Sequence, residues 1–221
     1  MNKLTLRLAA VTLTVGGLIA GVAGAEGAGF GDELLSIQRE FDEASFSGLA
    51  GNDRKDAFAT LVEHAAAFSA RYPDRPEAVA WNGIVLSSYA GEVSAMSAMR
   101  YAKAARDALH KAESMAPEAL RGGVYASLGA LYSKVPGGIV GFGDDERAAE
   151  YFVKALAVDP DNIDTNYFYG EFLLDQKDYT SAVRVLRRAL AAPAVESRPL
   201  FDTGRRSEIR SLLASAEEHS F

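Results

Sequence analysis

No cysteine occurs among the 221 residues. That absence removes disulfide cross-links, thiolate-bound zinc and a lipid-modified cysteine as a membrane tether. Histidine is scarce, and His64, His110 and His219 stand too far apart to pair on one helix face as metal ligands. No serine lies in a G-x-S-x-G context, so nucleophilic catalysis has no foothold either. Cations are the minority charge, 23 basic against 30 acidic residues for a net of −7. Such a balance disfavours nucleic acid, whose phosphates need a Lys/Arg surface. Beyond residue 30 there is no sustained period-two alternation of the kind strands require. Beyond residue 25 no apolar run approaches the ~20 residues that cross a bilayer.

The amino terminus is different in kind. Lys3 and Arg7 precede an apolar run from Leu8 to Val22, interrupted by Gly16, Gly17 and Gly21 and ending in Ala23-Gly24-Ala25. This is the pattern of a cleaved secretory signal peptide, 1–25, with the exported chain beginning at Glu26. Losing Lys3 and Arg7 deepens the net charge from −7 to −9. The expectation is a soluble periplasmic protein with no membrane insertion after cleavage, stabilised by packing alone.

After the leader, apolar residues recur at helical spacing between Pro, Gly, Asp and Asn punctuation. The spacing predicts helices near 31–47, 53–72, 76–90, 96–115, 119–134, 144–158, 162–176, 179–191 and 204–219. Three of them share a small/large/small signature: Ala105-Leu109-Ala112, Ala148-Phe152-Ala155 and Ala182-Leu186-Ala189, each followed by a proline. The last two are 34 residues apart, a repeat period in its own right. Each is preceded by a helix with an internal glycine, Gly83, Gly129 or Gly170. Glycine inside a helix costs ~1 kcal/mol against alanine, so its recurrence predicts close approach of two antiparallel helices.

Asp178-Tyr179-Thr180-Ser181-Ala182 through Leu186 and Arg188-Ala189-Leu190 resembles the second helix of a tetratricopeptide repeat. Leu128-Gly129 with Tyr132, and Glu150 to Pro160, resemble other parts of that motif. The resemblance is clear over residues 76–193 and loose over 53–75. It implies an all-α right-handed superhelix of antiparallel helix pairs over 26–203, closed by a capping helix at 204–221. Two loops exceed the repeat pattern, Gly91 to Met99 and the glycine-rich Val135 to Asp144. With the helix carrying Asn166-Tyr167-Phe168-Tyr169-Gly170-Glu171, they make the chain similar to the T component of tripartite (TRAP-type) periplasmic transporters, a helical repeat protein that works beside a solute-binding subunit.

Binding residues are expected on the first helix of each pair and on the glycine-rich loop. The faces in question are Ala80, Ile84 and Ser87; Ala126, Ala130 and Ser133; Asp164, Tyr167, Glu171 and Leu174. The loop contributes Ile139 and Phe142, exposed apolar side chains being a frequent mark of contact surfaces. A phosphate cradle at Gly137 to Gly143 is disfavoured, because no Lys-Ser/Thr follows and Asp144, Asp145 and Glu146 would repel the anion. The Asp144/Asp145 and Asp159/Asp161 pairs read as helix caps. Small, apolar and acidic first-helix positions also argue against a clamp for a peptide carboxylate, which needs positive donors. The functional expectation is a non-enzymatic adaptor or transporter accessory subunit with an envelope protein as partner and no cofactor. The alternative is a soluble carrier of a small apolar ligand.

Overall fold

In the computed structural model, residues 29–219 are described. The expected signal peptide, 1–25, lies outside them. The chain separates into two compact units, Met1–Ser36 and Ile37–Phe221. The described part of the first is helical, the start of α1 (residues 29–46). Everything below concerns the second unit.

That unit is a helical repeat superhelix, with no strand among the described residues. After α1 come α2 (Gly51–Arg71), α3 (Pro76–Glu92) and α4 (Ala95–Met115). A short 3-10 turn, Ala119–Gly122, leads into α5 (Gly123–Lys134), α6 (Asp145–Val158), α7 (Ile163–Asp175), α8 (Tyr179–Ala191) and α9 (Pro199–Glu218). Helices α3/α4, α5/α6 and α7/α8 form pairs, with α2 packed on α3 and α9 on α8. No helix of the described residues is long and apolar enough to cross a membrane.

The start points follow from side-chain chemistry. Asp144 accepts from the Arg147 N–H at 3.0 Å, Asn162 from Thr165 at 3.0 Å and Asp178 from Ser181 at 3.1 Å, satisfying N–H groups that have no partner inside the helix. Proline occupies the first turn of α3 and α9, where its missing N–H costs nothing. Pro199 therefore begins the last helix five residues before the expected start at 204, and acts as a helix starter rather than a breaker.

The repeat register is borne out atom by atom. A Cβ added to Gly83 would stand 2.8 Å from Leu109 Cγ, one on Gly129 2.9 Å from the Phe152 ring, and one on Gly170 2.5 Å from Leu186. Each glycine thus receives the large residue between two alanines, and the side chains of Leu109, Phe152 and Leu186 are all fully buried. The flanking Ala105, Ala112, Ala148, Ala155, Ala182 and Ala189 are fully buried too.

The glycine-rich loop is a closed structure of its own. Gly143 N–H donates to the Pro136 carbonyl at 3.0 Å and Asp144 N–H to the Tyr132 carbonyl at 3.0 Å. A Cβ on Gly143 would collide with the Val135 carbonyl, so this glycine is required by backbone approach. Phe142 anchors the loop from inside: its ring meets Tyr132 edge-on at 5.6 Å, and the Arg106 guanidinium covers it at 4.6 Å.

Candidate binding groove

The first helices of the three pairs, α3, α5 and α7, line a groove of about 980 Å³. Its size is at the upper end of small-molecule sites, ~300–1,000 Å³. Trp81, Ile84, Ser87 and Ser88 reach it from α3. Gly123, Ala126, Ser127, Ala130, Leu131 and Lys134 come from α5. From α7 and its cap come Asn162, Ile163, Asp164, Phe168 and Glu171. Met99 and Ala102 of α4 and Val135, Pro136 and Val140 of the loop form one wall.

The far end is closed by the two ends of the unit meeting. Phe41 of α1 and Val195, Arg198, Phe201 and Arg205, from α9 and the segment before it, all line the groove. Arg198 Nε donates to Asp42 Oδ2 at 3.0 Å and its Nη2 to Oδ1, tying positions 156 residues apart. Asp42 is buried. Burial drives its carboxyl pKa above the usual value, against the downward pull of Arg198. Phe46 packs edge-on against Phe201 at 6.0 Å and lies against Gly204, leaving no room for a Cβ there.

Whereas Arg198 is only half-buried, Arg205 is buried. Its Nε lies 2.8 Å from Asp164 Oδ1, a charge contact whose N–H is not aligned as a hydrogen bond, and its Nη1 donates to Glu208. The guanidinium sits 4.0 Å over the Tyr167 ring and 5.2 Å over Phe168. Burial works against the Arg205 charge, and Asp164 and Glu208 outweigh it. Arg198 similarly covers Phe201 at 4.2 Å and Trp81 at 5.4 Å. At the other end, Lys134 Nζ bridges Asp175 at 2.7 Å and Glu171 at 3.1 Å. Burial would lower the Lys134 pKa; the two carboxylates hold it above its usual value. The buried Trp81 Nε1 has no hydrogen-bond partner.

The sequence-derived candidates divide. Ser87, Asp164 and Glu171 line the groove, as do Ile84, Ala126 and Ala130. Ser133 does not, and its hydroxyl donates to the Ala130 carbonyl at 2.9 Å. Tyr167 is turned under Arg205 rather than into the groove, and its neighbour Phe168 takes the lining position. Burial pushes the Tyr167 phenol pKa up. Phe142 is half-buried in the loop's own packing. Ile139 is 106% exposed, and beside it Val140 is 73% exposed while also lining the groove. Met96 is 92% exposed one turn from Met99, and a Cβ on Gly141 would touch Met99 Cε. Ile139 and Val140, adjacent on the loop wall, thus form an apolar lip, and Met96 is a further exposed apolar side chain at the start of α4.

Trp81, Arg198 and Arg205 went unrecognised in the sequence. Trp81 is the only tryptophan and lies two residues before the repeat glycine Gly83, a usable signal. The arginines carried none, because their place depends on α9 folding back across the groove. Positive groups are therefore present in the groove, but in-chain carboxylates already occupy them, which disfavours a clamp for a peptide carboxylate. Among the described residues no cluster of His, Asp and Glu could hold a metal ion.

The tetratricopeptide repeat family matches residues 141–198. A solved structure, a thermophilic TPR protein of Thermus thermophilus, is similar at 20% identity with a TM-score of 0.51. The likeness covers 76% of this chain and 84% of that one. No curated protein matches the sequence.

Proposed function

We propose that the protein is a non-enzymatic, exported binding module that docks an envelope protein at the mouth of its groove, as an adaptor or as the accessory subunit of a tripartite transporter. The observation carrying this reading is the apolar lip of Ile139 and Val140 beside a preformed groove. Exposed apolar side chains clustered at a concavity are a usual feature of contact surfaces, and the tetratricopeptide fold supports a protein partner. The leader sequence supports the location; amino-terminal sequencing of exported protein should begin at Glu26. A photo-cross-linking residue in place of Ile139 should trap one envelope protein stoichiometrically, whereas the same residue in place of exposed Lys55 on α2 should not. Equal labelling from both positions would remove the lip as the docking site.

A second reading, a carrier of a small apolar ligand, rests on a separate observation. The α1–α9 contact closes one end of the groove, giving it the form of a pocket rather than an open channel. Native mass spectrometry of freshly isolated protein should then show a bound small molecule, and its consistent absence would count against the carrier.

A further inference from the structure

We propose that the groove selects an uncharged, chain-like apolar ligand, such as a long-chain alcohol or another neutral lipid-like molecule, and discriminates against the same chain bearing a carboxylate or an ammonium group. This rests on the carrier reading of the groove and adds to it the chemical class of the ligand.

The basis is charge closure. Four cations reach the lining, Arg121, Lys134, Arg198 and Arg205. Each is already paired within the chain, with Asp159 at 2.9 Å, Asp175 at 2.7 Å, Asp42 at 3.0 Å and Asp164 at 2.8 Å respectively. The two acidic lining residues, Asp164 and Glu171, are answered by Arg205 and Lys134. No formal charge in the groove is left open. At the closed end of the groove an entering anion would have to displace Asp42 from Arg198, stranding a buried carboxylate, and an uncompensated buried charge is strongly unfavourable. A cation finds no better welcome. The aromatic rings that could attract such groups are those of Phe41, Trp81, Phe168 and Phe201; Arg198 and Arg205 already cover the last three, and Phe41 is engaged edge-on by Phe58 and Trp81. Apart from neutral polar groups such as Gln38, Ser87, Ser127 and Asn162, the remaining surface is aliphatic, chiefly Ile84, Met99, Ala126, Ala130, Leu131 and Val140, and its burial favours hydrocarbon in proportion to area.

Trp81 lies in this lining and is the only tryptophan of the chain, so its emission reports on the groove. The experiment titrates the exported protein with dodecan-1-ol, dodecanoate and dodecyltrimethylammonium, all below their aggregation limits. The alcohol should give a saturable one-to-one change in emission, with both ions at least about tenfold weaker, a difference of about 1.4 kcal/mol. Ala130→Phe, which fills the middle of the groove, should weaken the alcohol by a similar factor. The double variant Glu171→Gln with Asp175→Asn strips Lys134 of both partners and should narrow the alcohol-to-carboxylate ratio severalfold. Saturable binding with either ion as tight as the alcohol, or a ratio unmoved by the double variant, overturns the charge-closure inference and leaves the carrier reading standing. No saturable response to any of the three probes overturns both.

Discussion

Gly170 has a neighbour where any other residue would have a side chain. A methyl there would come 2.5 Å from Leu186 Cδ2 and 2.6 Å from Cγ, and Leu186 is fully buried. Alanine would improve helix propensity by up to ~1 kcal/mol, but overpacking a dense interior costs ~1–3 kcal/mol. Gly170→Ala should therefore lower stability by about 1 kcal/mol net, measured as the urea midpoint at unchanged slope. A stabilised variant would mean that α7 and α8 are not in this close contact. The reciprocal positions, Ala182 and Ala189, were legible for the same reason: only small residues fit where two helix backbones approach. Tyr167 was not. Its place on the helix stripe was correct to within one position, yet a rotation of that size exchanges a groove residue for one sealed beneath Arg205.

At the level of the helix, one of the two expected capping pairs was right: Asp144 caps α6, but α7 is capped by Asn162 rather than by Asp159 or Asp161, and Asp159 instead pairs with Arg121. Asp178 is an exposed N-cap of α8, and hydrogen bonds from the Ser181 hydroxyl and backbone N–H hold its carboxyl below the usual value of 3.8. A lowered carboxyl pKa means that the stabilising contribution is present above 3.8 and is lost as pH falls through the folded-state value. Asp178→Ala should cost ~0.5–2 kcal/mol near neutrality, and the gap between variant and parent should close in acid. A gap that persisted below the titration would mean the carboxylate is not the source of the effect. By contrast, the predicted helix 119–134 is split by Leu120 and Arg121, both at positive φ. Neither residue type favours that region. Gly122 follows at φ 82, where a Cβ would stand 3.0 Å from the Ala155 carbonyl, so the break is imposed by packing of the turn onto α6.

Across the whole unit, the Asp42–Arg198 pair is the contact that turns a row of repeats into a pocket. Burial raises the Asp42 pKa despite the arginine, so the ionised carboxylate is held at a net cost, and stability from this group declines as pH rises from 3.8 through the raised value. Removing one partner alone, as in Asp42→Leu, should destabilise by up to ~3 kcal/mol because the half-buried Arg198 charge loses its partner. Replacing both, Asp42→Leu with Arg198→Met, should restore stability to within ~1 kcal/mol of the parent or exceed it by ~1–4 kcal/mol. Strict additivity of the two single changes in that cycle would show that the ends of the unit do not meet in solution. The sequence by itself determined the helical repeat, the glycine-to-leucine and glycine-to-phenylalanine contacts and the Asp144 cap, because these depend on periodicity, side-chain size and hydrogen-bonding groups within about one repeat. The tertiary structure alone decided that α9 brings two arginines into the groove, that every cation there meets a carboxylate, and that Phe142 secures a loop. Those outcomes depend on contacts such as Asp42 with Arg198, across a separation of 156 residues, over which no local pattern of residues specifies a partner.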